Sequence, residues 1–374
     1  MIPLNKSLPV GRELKYLKEV LASGSLSGDG PFTFKCESFI QKLTGAKKVL
    51  LTPSCTDALE LAFLLLDIKP GDEVILPSFT FASTANAFVL RGARPRFVDI
   101  REDTLNMDEN ELSKSVSSKT SAICPIHYGG IPSEMTKIIN FARMRRIPVV
   151  EDAAQALGAE FNSKAAGTWG TFGAISFHDT KNITCGEGGA LLINDPQFIT
   201  RAEIIRQKGT NRTQFIKGKI DKYSWVDVGS SFVPSELQAA FLLGQLENYS
   251  KIVHHREKLF VRYQKSFSIY ERRGRIRLPV IPKKIRSSFH VFYMILENKA
   301  ERDRMIKALR DQGVGAAFHY VPLHLSLMGE KYGYKYGDFP VCEDISERLI
   351  RLPLYNSMTL EDQNHVIASV KKAL

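Results

Sequence analysis

Two residues, Asp152 and Lys181, combine side-chain type and spacing in a way that suggests chemistry. Asp152 lies in Ile147-Pro-Val-Val-Glu-Asp-Ala-Ala-Gln155, and Lys181 ends Gly173-Ala-Ile-Ser-Phe-His-Asp-Thr-Lys181, with Gly186-Glu-Gly-Gly189 just beyond. The short apolar run Ile147 to Val150 predicts a buried strand. It delivers Asp152 to the strand's carboxyl end, where open α/β sheets place ligands. Gly173 to Phe177 predicts a second strand and delivers Lys181 the same way. Taken singly, the ordinary readings win: an acid after a strand caps a helix, and a loop lysine is a solvated charge. Together they offer an amine for a Schiff base and an anion for a ring nitrogen. Pyridoxal phosphate needs both.

The elements that must position this pair follow a strand–helix rhythm. Lys47–Thr52, Asp72–Pro77, Arg96–Ile100, Ser121–Ile126 and Ala190–Ile193 predict strands, with helices at Ala58–Leu66 and Ser83–Leu90 among them. That alternation predicts an α/β protein with a mostly parallel central sheet and helices on both faces. Pro53-Ser-Cys-Thr-Asp57, between a strand and a helix, is a template for a phosphate site, because free N–H groups and the helix dipole converge there. The plainer alternative is an N-cap by Ser54 or Thr56. Phe81, after the second strand, could stack on a flat ring or simply join the core. Helical periodicity precedes all this at Arg12–Ala22 and Phe34–Leu43, in a lead-in segment.

Beyond Asp195 the pattern changes. A polar helix over Pro196–Lys208 leads into a basic loop from Gly209 to about Ser231. A long helix starts at Pro234–Ser235 and runs to Arg256, and the domain boundary is placed inside it, near 245. Residues 1–245 then form a large domain and 246–374 a small α+β domain. The small domain is predicted to hold a strand at Phe289–Leu296, a helix at Glu301–Gln312, a strand at Val314–Tyr320 and a last helix from Thr359.

Composition narrows the function. With 374 residues, 44% hydrophobic and 24% charged, the chain reads as an ordinary globular protein. Five scattered cysteines without a CxxC pair predict neither a disulfide framework nor a metal site. The net charge of +11 could attract anions. The basic clusters Arg143–Arg146 and Glu271–Arg277 lack interleaved aromatics, so no nucleic-acid partner is expected. There is no apolar run of membrane-spanning length and no leader-like N-terminus, so a cytoplasmic protein without a membrane partner is expected.

The chain resembles the DegT/DnrJ/EryC1 family of sugar-nucleotide aminotransferases, which are fold type I pyridoxal-phosphate enzymes. The resemblance runs through Leu51-Thr-Pro-Ser-Cys-Thr56, Ser176-Phe-His-Asp-Thr-Lys-Asn182, Lys208-Gly-Thr-Asn-Arg212, Val228-Gly-Ser-Ser231, Phe318-His-Tyr-Val-Pro-Leu-His324 and Ser346-Glu-Arg-Leu-Ile-Arg-Leu-Pro-Leu354. It implies Lys181 as Schiff-base lysine and proton carrier, Asp152 at the pyridine nitrogen, and Gln155 at the phenolic oxygen. Cys55, Thr56 and Ser176 would hold the phosphate, and Phe81 would lie on the ring. Where many members carry an Asn that reaches a neighbouring subunit's phosphate, this chain has Ser231, so Ser230 or Ser231 would supply a shorter hydroxyl in a homodimer. Lys208, Arg212 and His319 are candidates for the substrate diphosphate, with ordinary surface charge as the alternative.

The implied reaction is transfer of an amino group from L-glutamate to dTDP-4-dehydro-6-deoxy-D-glucose. It gives dTDP-4-amino-4,6-dideoxy-D-galactose for a surface polysaccharide such as enterobacterial common antigen or an O-antigen. The C4 epimer, another nucleotide ketosugar, and a regulatory protein on the same scaffold are the alternatives. The dehydratases of the family carry a histidine at the lysine position. Lys181 speaks against that branch, since His178 falls three residues too early.

Overall fold

A computed structural model describes Met1–Leu374. Seven strands build the sheet that carries the site: β1 (Lys48–Thr52), β2 (Glu73–Pro77), β3 (Arg94–Val98), β4 (Thr120–Ile123), β5 (Val150–Asp152), β6 (Phe172–Ser176) and β7 (Gly189–Ile193). β1, β7, β6 and β5 are neighbours in that order, and β4, β2 and β3 form a second run. Parallel bridges at Ile123–Val149 and Ile126–Asp152 join the two runs edge to edge. Only β7 runs against its neighbours, so the sheet is mostly parallel as expected. The exception has a local cause. A parallel return needs a long crossover, whereas an antiparallel partner can be reached through a short loop. Residues 177–188 form that loop between β6 and β7, and Lys181 sits in it.

Side chains alternate along these strands, and each face carries its own core. Leu50, Ala174 and Leu191 pack with the Cys55–Leu65 helix, whose Leu59, Ala62 and Phe63 are fully buried. Leu51, Ile175 and Leu192 pack on the other face with Tyr16 and Val20, Phe32, Cys36 and Ile40, and Ala239 to Leu246. These come from the Glu13–Ser23, Pro31–Thr44 and Glu236–Leu246 helices. No helix is long and apolar enough to cross a membrane.

In the C-terminal part of the chain β8 (Phe292–Ile295) pairs with β9 (Leu349–Leu352) in antiparallel register, so that Tyr293 faces Arg351. The Lys299–Asp311, Leu360–Ala373 and Tyr249–Arg272 helices pack around this ribbon. The strand expected over Val314–Tyr320 is not formed. Only Val314 and Ala317 make isolated bridges there, to Ile2 and Arg351. Gly315 approaches the backbone N of Leu4 so closely that a Cβ would sit 2.8 Å from it. The chain passes through that contact instead of continuing a ladder, and β9 takes the place beside β8.

The helix expected to run from Pro234 to Arg256 is two helices. Glu236–Leu246 ends, and Tyr249–Arg272 begins after Glu247 and Asn248. Ile252 still packs in the core that holds Tyr16, Phe32 and Leu246, and from Leu259 onward the packing belongs to the core around β8 and β9. Arg256 sits between them, 1% exposed. It donates to the carbonyls of Phe289 and Leu354 at 3.0 Å each and to Asn356 Oδ1 at 3.1 Å. Removing the guanidinium strands those acceptors and leaves a void. Arg256→Ala is expected to cost about 3 kcal/mol, read as a lower denaturation midpoint in urea.

Candidate active site

A cavity of about 620 Å³ opens where the carboxyl ends of β1, β2, β5 and β6 meet the small domain. Asp152 is the last residue of β5 and is buried. Its Oδ2 accepts the Thr84 hydroxyl at 2.7 Å, and its Oδ1 accepts the Ala154 N–H at 3.1 Å. Thr84 is set by the Ala82–Val89 helix, and its hydroxyl also meets Thr80 at 3.0 Å. The carboxylate is therefore held in orientation by two donors.

Lys181 lines the same cavity. Its backbone N–H donates to the His178 carbonyl at 2.9 Å, which curls the loop after β6. Burial lowers the pKa of its ammonium, Cys55 and Asp152 pull it back up, and Arg351 pushes it down. The amine and the acid are close enough to feel each other's charge, and neither forms an ion pair that would consume it. An amine with a depressed pKa is available as a nucleophile and base. The depression also predicts a stability effect in cofactor-free protein. Below the folded-state pKa the apoprotein carries a buried ammonium at a cost. That cost fades as pH rises toward the ordinary value of 10.5, where unfolded lysine also loses its proton. Lys181→Met apoprotein should melt higher than wild-type apoprotein at pH 7, with the gap closing toward pH 10.5.

The strand, turn and helix expected around Pro53–Asp57 are formed, with the cap given as the alternative reading. Ser54 caps the Cys55–Leu65 helix by accepting the Asp57 N–H at 3.1 Å. The N–H groups of Cys55 and Thr56 then have no carbonyl four residues back inside the helix. Thr56 Oγ1 meets Ser83 Oγ at 2.9 Å. Gly189, the first residue of β7, lies so close to this turn that a Cβ would stand 2.3 Å from the Ser54 carbonyl carbon. Only glycine lets β7 approach there. Ser176, the last residue of β6, lines the cavity beside this turn.

Phe81 is 62% exposed on the cavity wall, with its ring centroid 6.4 Å from that of Tyr320. The Gln155 amide is held at both ends. Its Oε1 accepts the Gly129 N–H at 2.7 Å and its Nε2 donates to the Tyr320 hydroxyl at 2.9 Å. One amide proton remains for a ligand. Cys55, Thr56, Phe81, Asp152, Gln155, Ser176, Lys181 and His319 therefore converge on one cavity.

Three of the candidate residues do not. Lys208, Arg212 and Ser231 are exposed on the segment 208–231, where the Arg212–Ile216 helix takes up part of the expected loop, and do not line the cavity of their own chain. His319 does line it, but not as a cation. Burial pushes its pKa down to about 2, helped by Arg351 and Lys181, and its Nδ1 lies 3.0 Å from the Tyr128 hydroxyl. A neutral ring offers a diphosphate one hydrogen bond and no charge.

Sequence reasoning passed over Thr84, Tyr320, His290 and Arg351, all of which line the cavity. Arg351 sits in Leu349-Ile-Arg-Leu352, a run too short to mark a strand by its pattern. Thr84 carried no pattern signal either.

A planar ring with a phosphate at one end fits this arrangement. The Cys55 turn would take the phosphate, Asp152 the ring nitrogen, and Lys181 the covalent bond. The chain matches the DegT/DnrJ/EryC1/StrS aminotransferase family over residues 10–371. It is 34% identical over 375 residues to the spore coat polysaccharide biosynthesis protein SpsC of Bacillus subtilis, covering 98% of this chain and 95% of that one. The aminotransferase TlmJ of Streptoalloteichus hindustanus superposes with a TM-score of 0.90 at 31% identity, over 100% of this chain and 98% of its own. Spr1654 of Streptococcus pneumoniae, solved in a PLP form, superposes with a TM-score of 0.89 at 26% identity, over 100% and 98%. With the match spanning nearly its whole length, the chain belongs to the DegT/DnrJ/EryC1/StrS family and is a sugar aminotransferase of fold type I that works with pyridoxal phosphate.

Proposed function

We propose that this aminotransferase moves the amino group of L-glutamate to C4 of dTDP-4-dehydro-6-deoxy-D-glucose. The products are 2-oxoglutarate and dTDP-4-amino-4,6-dideoxy-D-galactose, the latter for a surface polysaccharide. The observation that carries the transamination is one cavity holding both a lysine whose charge is disfavoured and an acid oriented by two donors. Support for the sugar nucleotide comes from the segments around Lys181, Lys208–Arg212, Phe318–His324 and Ser346–Leu354. The polysaccharide role named for the Bacillus relative supports the pathway.

When bound, pyridoxal phosphate supplies a carbonyl that takes up the amine and a ring that accepts the electron pair of the adjoining carbon. The chain's own groups bind, orient and move protons. The backbone N–H groups of Cys55 and Thr56, with the Thr56 and Ser176 hydroxyls, hold the phosphate. Asp152 keeps a negative charge opposite the ring nitrogen, and Phe81 covers a ring face. Gln155 donates its remaining amide proton to the phenolic oxygen. Lys181 Nζ takes the proton from the donor's α-carbon and in the second half of the cycle gives one to sugar C4. Burial disfavours its ammonium and so favours the free amine that this task needs. The face from which Nζ delivers this proton sets the configuration at C4.

A homodimer with shared active sites is part of the proposal. Trp225 (78% exposed), Ile216 and Tyr223 stand out on the loop after Arg212, the kind of apolar exposure that marks a contact surface. Ser231 lies at the end of that loop and outside its own cavity, as a residue addressing a partner's site would. Arg212 and Lys208 lie on the same loop, available to a partner's substrate.

The test is incubation with L-glutamate and dTDP-4-dehydro-6-deoxy-D-glucose, with the product's C4 configuration read by NMR. An axial amine with one 2-oxoglutarate per sugar is expected. An equatorial amine, or turnover only with a different nucleotide ketosugar, contradicts the proposed substrate and product.

A further inference from the structure

His290 carries a hydrogen-bond acceptor that nothing in the chain uses. The residue is buried and lines the cavity. Its Nδ1 lies 2.9 Å from Asn182 Oδ1. The Asn182 amide is fixed in that sense, because its Nδ2 donates to the Ser288 carbonyl at 2.7 Å. An amide oxygen only accepts, so the ring hydrogen of His290 sits on Nδ1. Burial pushes the pKa of the ring well down, and the charges of Lys181 and Arg256 act in the same sense. The ring is therefore neutral, and Nε2 is a bare lone pair. No group of the chain donates to it, and it is not among the polar atoms sealed from solvent. It opens on the cavity that the ring lines.

The ring is also held in place. Its backbone N–H donates to the Gly129 carbonyl at 3.2 Å, and Ser288 donates its hydroxyl to the Gln155 carbonyl at 2.6 Å. The Asn182 carbonyl accepts Asn356 Nδ2 at 2.7 Å. A polar atom on a mostly buried ring is normally partnered. The partner here is one that the cavity receives, and it must be a donor. The cofactor's phosphate and phenolic oxygens are acceptors. The carboxylates of an amino acid are acceptors too, and its amine is the group being transferred. A sugar brings hydroxyls. His290 stands close enough to Lys181 for that charge to act on it, so the hydroxyl must lie near the carbon that Lys181 serves. In a 4-dehydro-6-deoxy sugar the neighbours of C4 are C3, which bears a hydroxyl, and C5, which does not.

We propose that His290 Nε2 accepts the hydrogen of the hydroxyl next to the reacting ketone, the C3 hydroxyl of the 4-dehydro sugar, and thereby selects ketosugars that carry it. His290 then acts in the half of the cycle that uses the sugar and has no part in the half that uses the amino donor. The inference rests on the nucleotide-ketosugar reading of the proposed function and adds the group that reads the sugar beside its ketone.

The experiment follows the cofactor absorbance of the holoenzyme in each half-reaction separately, first with L-glutamate and then, after glutamate is removed, with the ketosugar. It compares dTDP-4-dehydro-6-deoxy-D-glucose with its 3-deoxy counterpart in wild type, His290→Asn and His290→Gln. Asparagine puts its amide where Nδ1 stands and keeps the bond to Asn182, whereas glutamine puts its amide oxygen near Nε2 and keeps the acceptor. Wild type should react about 30-fold more slowly with the 3-deoxy sugar at low concentration, the cost of one unmade hydrogen bond in a closed site. His290→Asn should lose about 30-fold with the parent sugar and no longer distinguish the two sugars. Its half-reaction with glutamate should stay within about 3-fold of wild type. His290→Gln should keep most of the discrimination. A wild type that treats the two sugars alike overturns the proposal, and that arm needs no variant to fold. An equal loss in both half-reactions of His290→Asn also overturns it, since Nε2 would then serve Lys181. A wild type that turns over a different nucleotide ketosugar corrects the substrate of the proposed function. The comparison is then read with that sugar and its deoxy counterpart, and a preferred ketosugar with no hydroxyl beside its ketone overturns the proposal.

Discussion

Lys181→Ala should lose transamination by at least about 10⁴-fold while keeping its fold and its cavity. The loss combines two roles of one amine. A positioned base contributes about 10²–10⁴-fold on its own, and we propose that the same nitrogen forms the covalent link to the cofactor. The backbone does not depend on that side chain. The Lys181 N–H to His178 carbonyl bond survives the change, and the walls of the cavity come from β1, β5 and β6. Single-turnover measurements with glutamate would show the loss directly, since they remove product release from the rate. A variant that kept more than about one hundredth of the wild-type rate would place the proton transfer on another group.

Asp152→Asn should retain the cofactor and lose roughly 10²–10³-fold in rate, the effect of one preorganised electrostatic group. Asparagine preserves the shape and can still accept the Thr84 hydroxyl at its oxygen. What it lacks is the negative charge that we propose keeps the ring nitrogen protonated. The absorbance of the bound cofactor should shift as that nitrogen loses its proton, so the loss of rate and the spectral change are expected together. A slow variant with an unaltered spectrum would mean that Asp152 acts through geometry alone. Thr84→Val gives the converse, an acid that keeps its charge and loses one orienting donor, and should cost far less.

Much of this was readable from the sequence, for physical reasons. Short apolar runs bounded by glycine and polar turns marked β1, β2, β6 and β7, and buried strands leave that signature because both faces are covered. Asp152 and Lys181 were legible because strand ends in such sheets are where ligands sit. The small domain was harder. Val314–Tyr320 has the composition of a strand, but close contact with the N-terminal residues at Gly315 takes it out of the ladder. β9 is only four residues long, from Leu349 to Leu352, too short for its alternation to stand out. Arg351 was therefore hidden in an unrecognised strand. His319 illustrates a different limit. Its residue type suggested a cation, and only the surrounding burial shows that it is neutral. Charge state depends on the neighbours that folding brings, and those come from segments far away in the chain.

The account turns on Lys181 being the amine that holds the cofactor. Borohydride reduction of the native holoenzyme, followed by proteolysis and peptide mass mapping, tests it most directly. The account predicts one reduced pyridoxyl group per chain, on the peptide carrying Lys181 and on no other lysine. A pyridoxyl group on a different lysine, or a native protein that binds the cofactor and gives no reducible adduct, would contradict it.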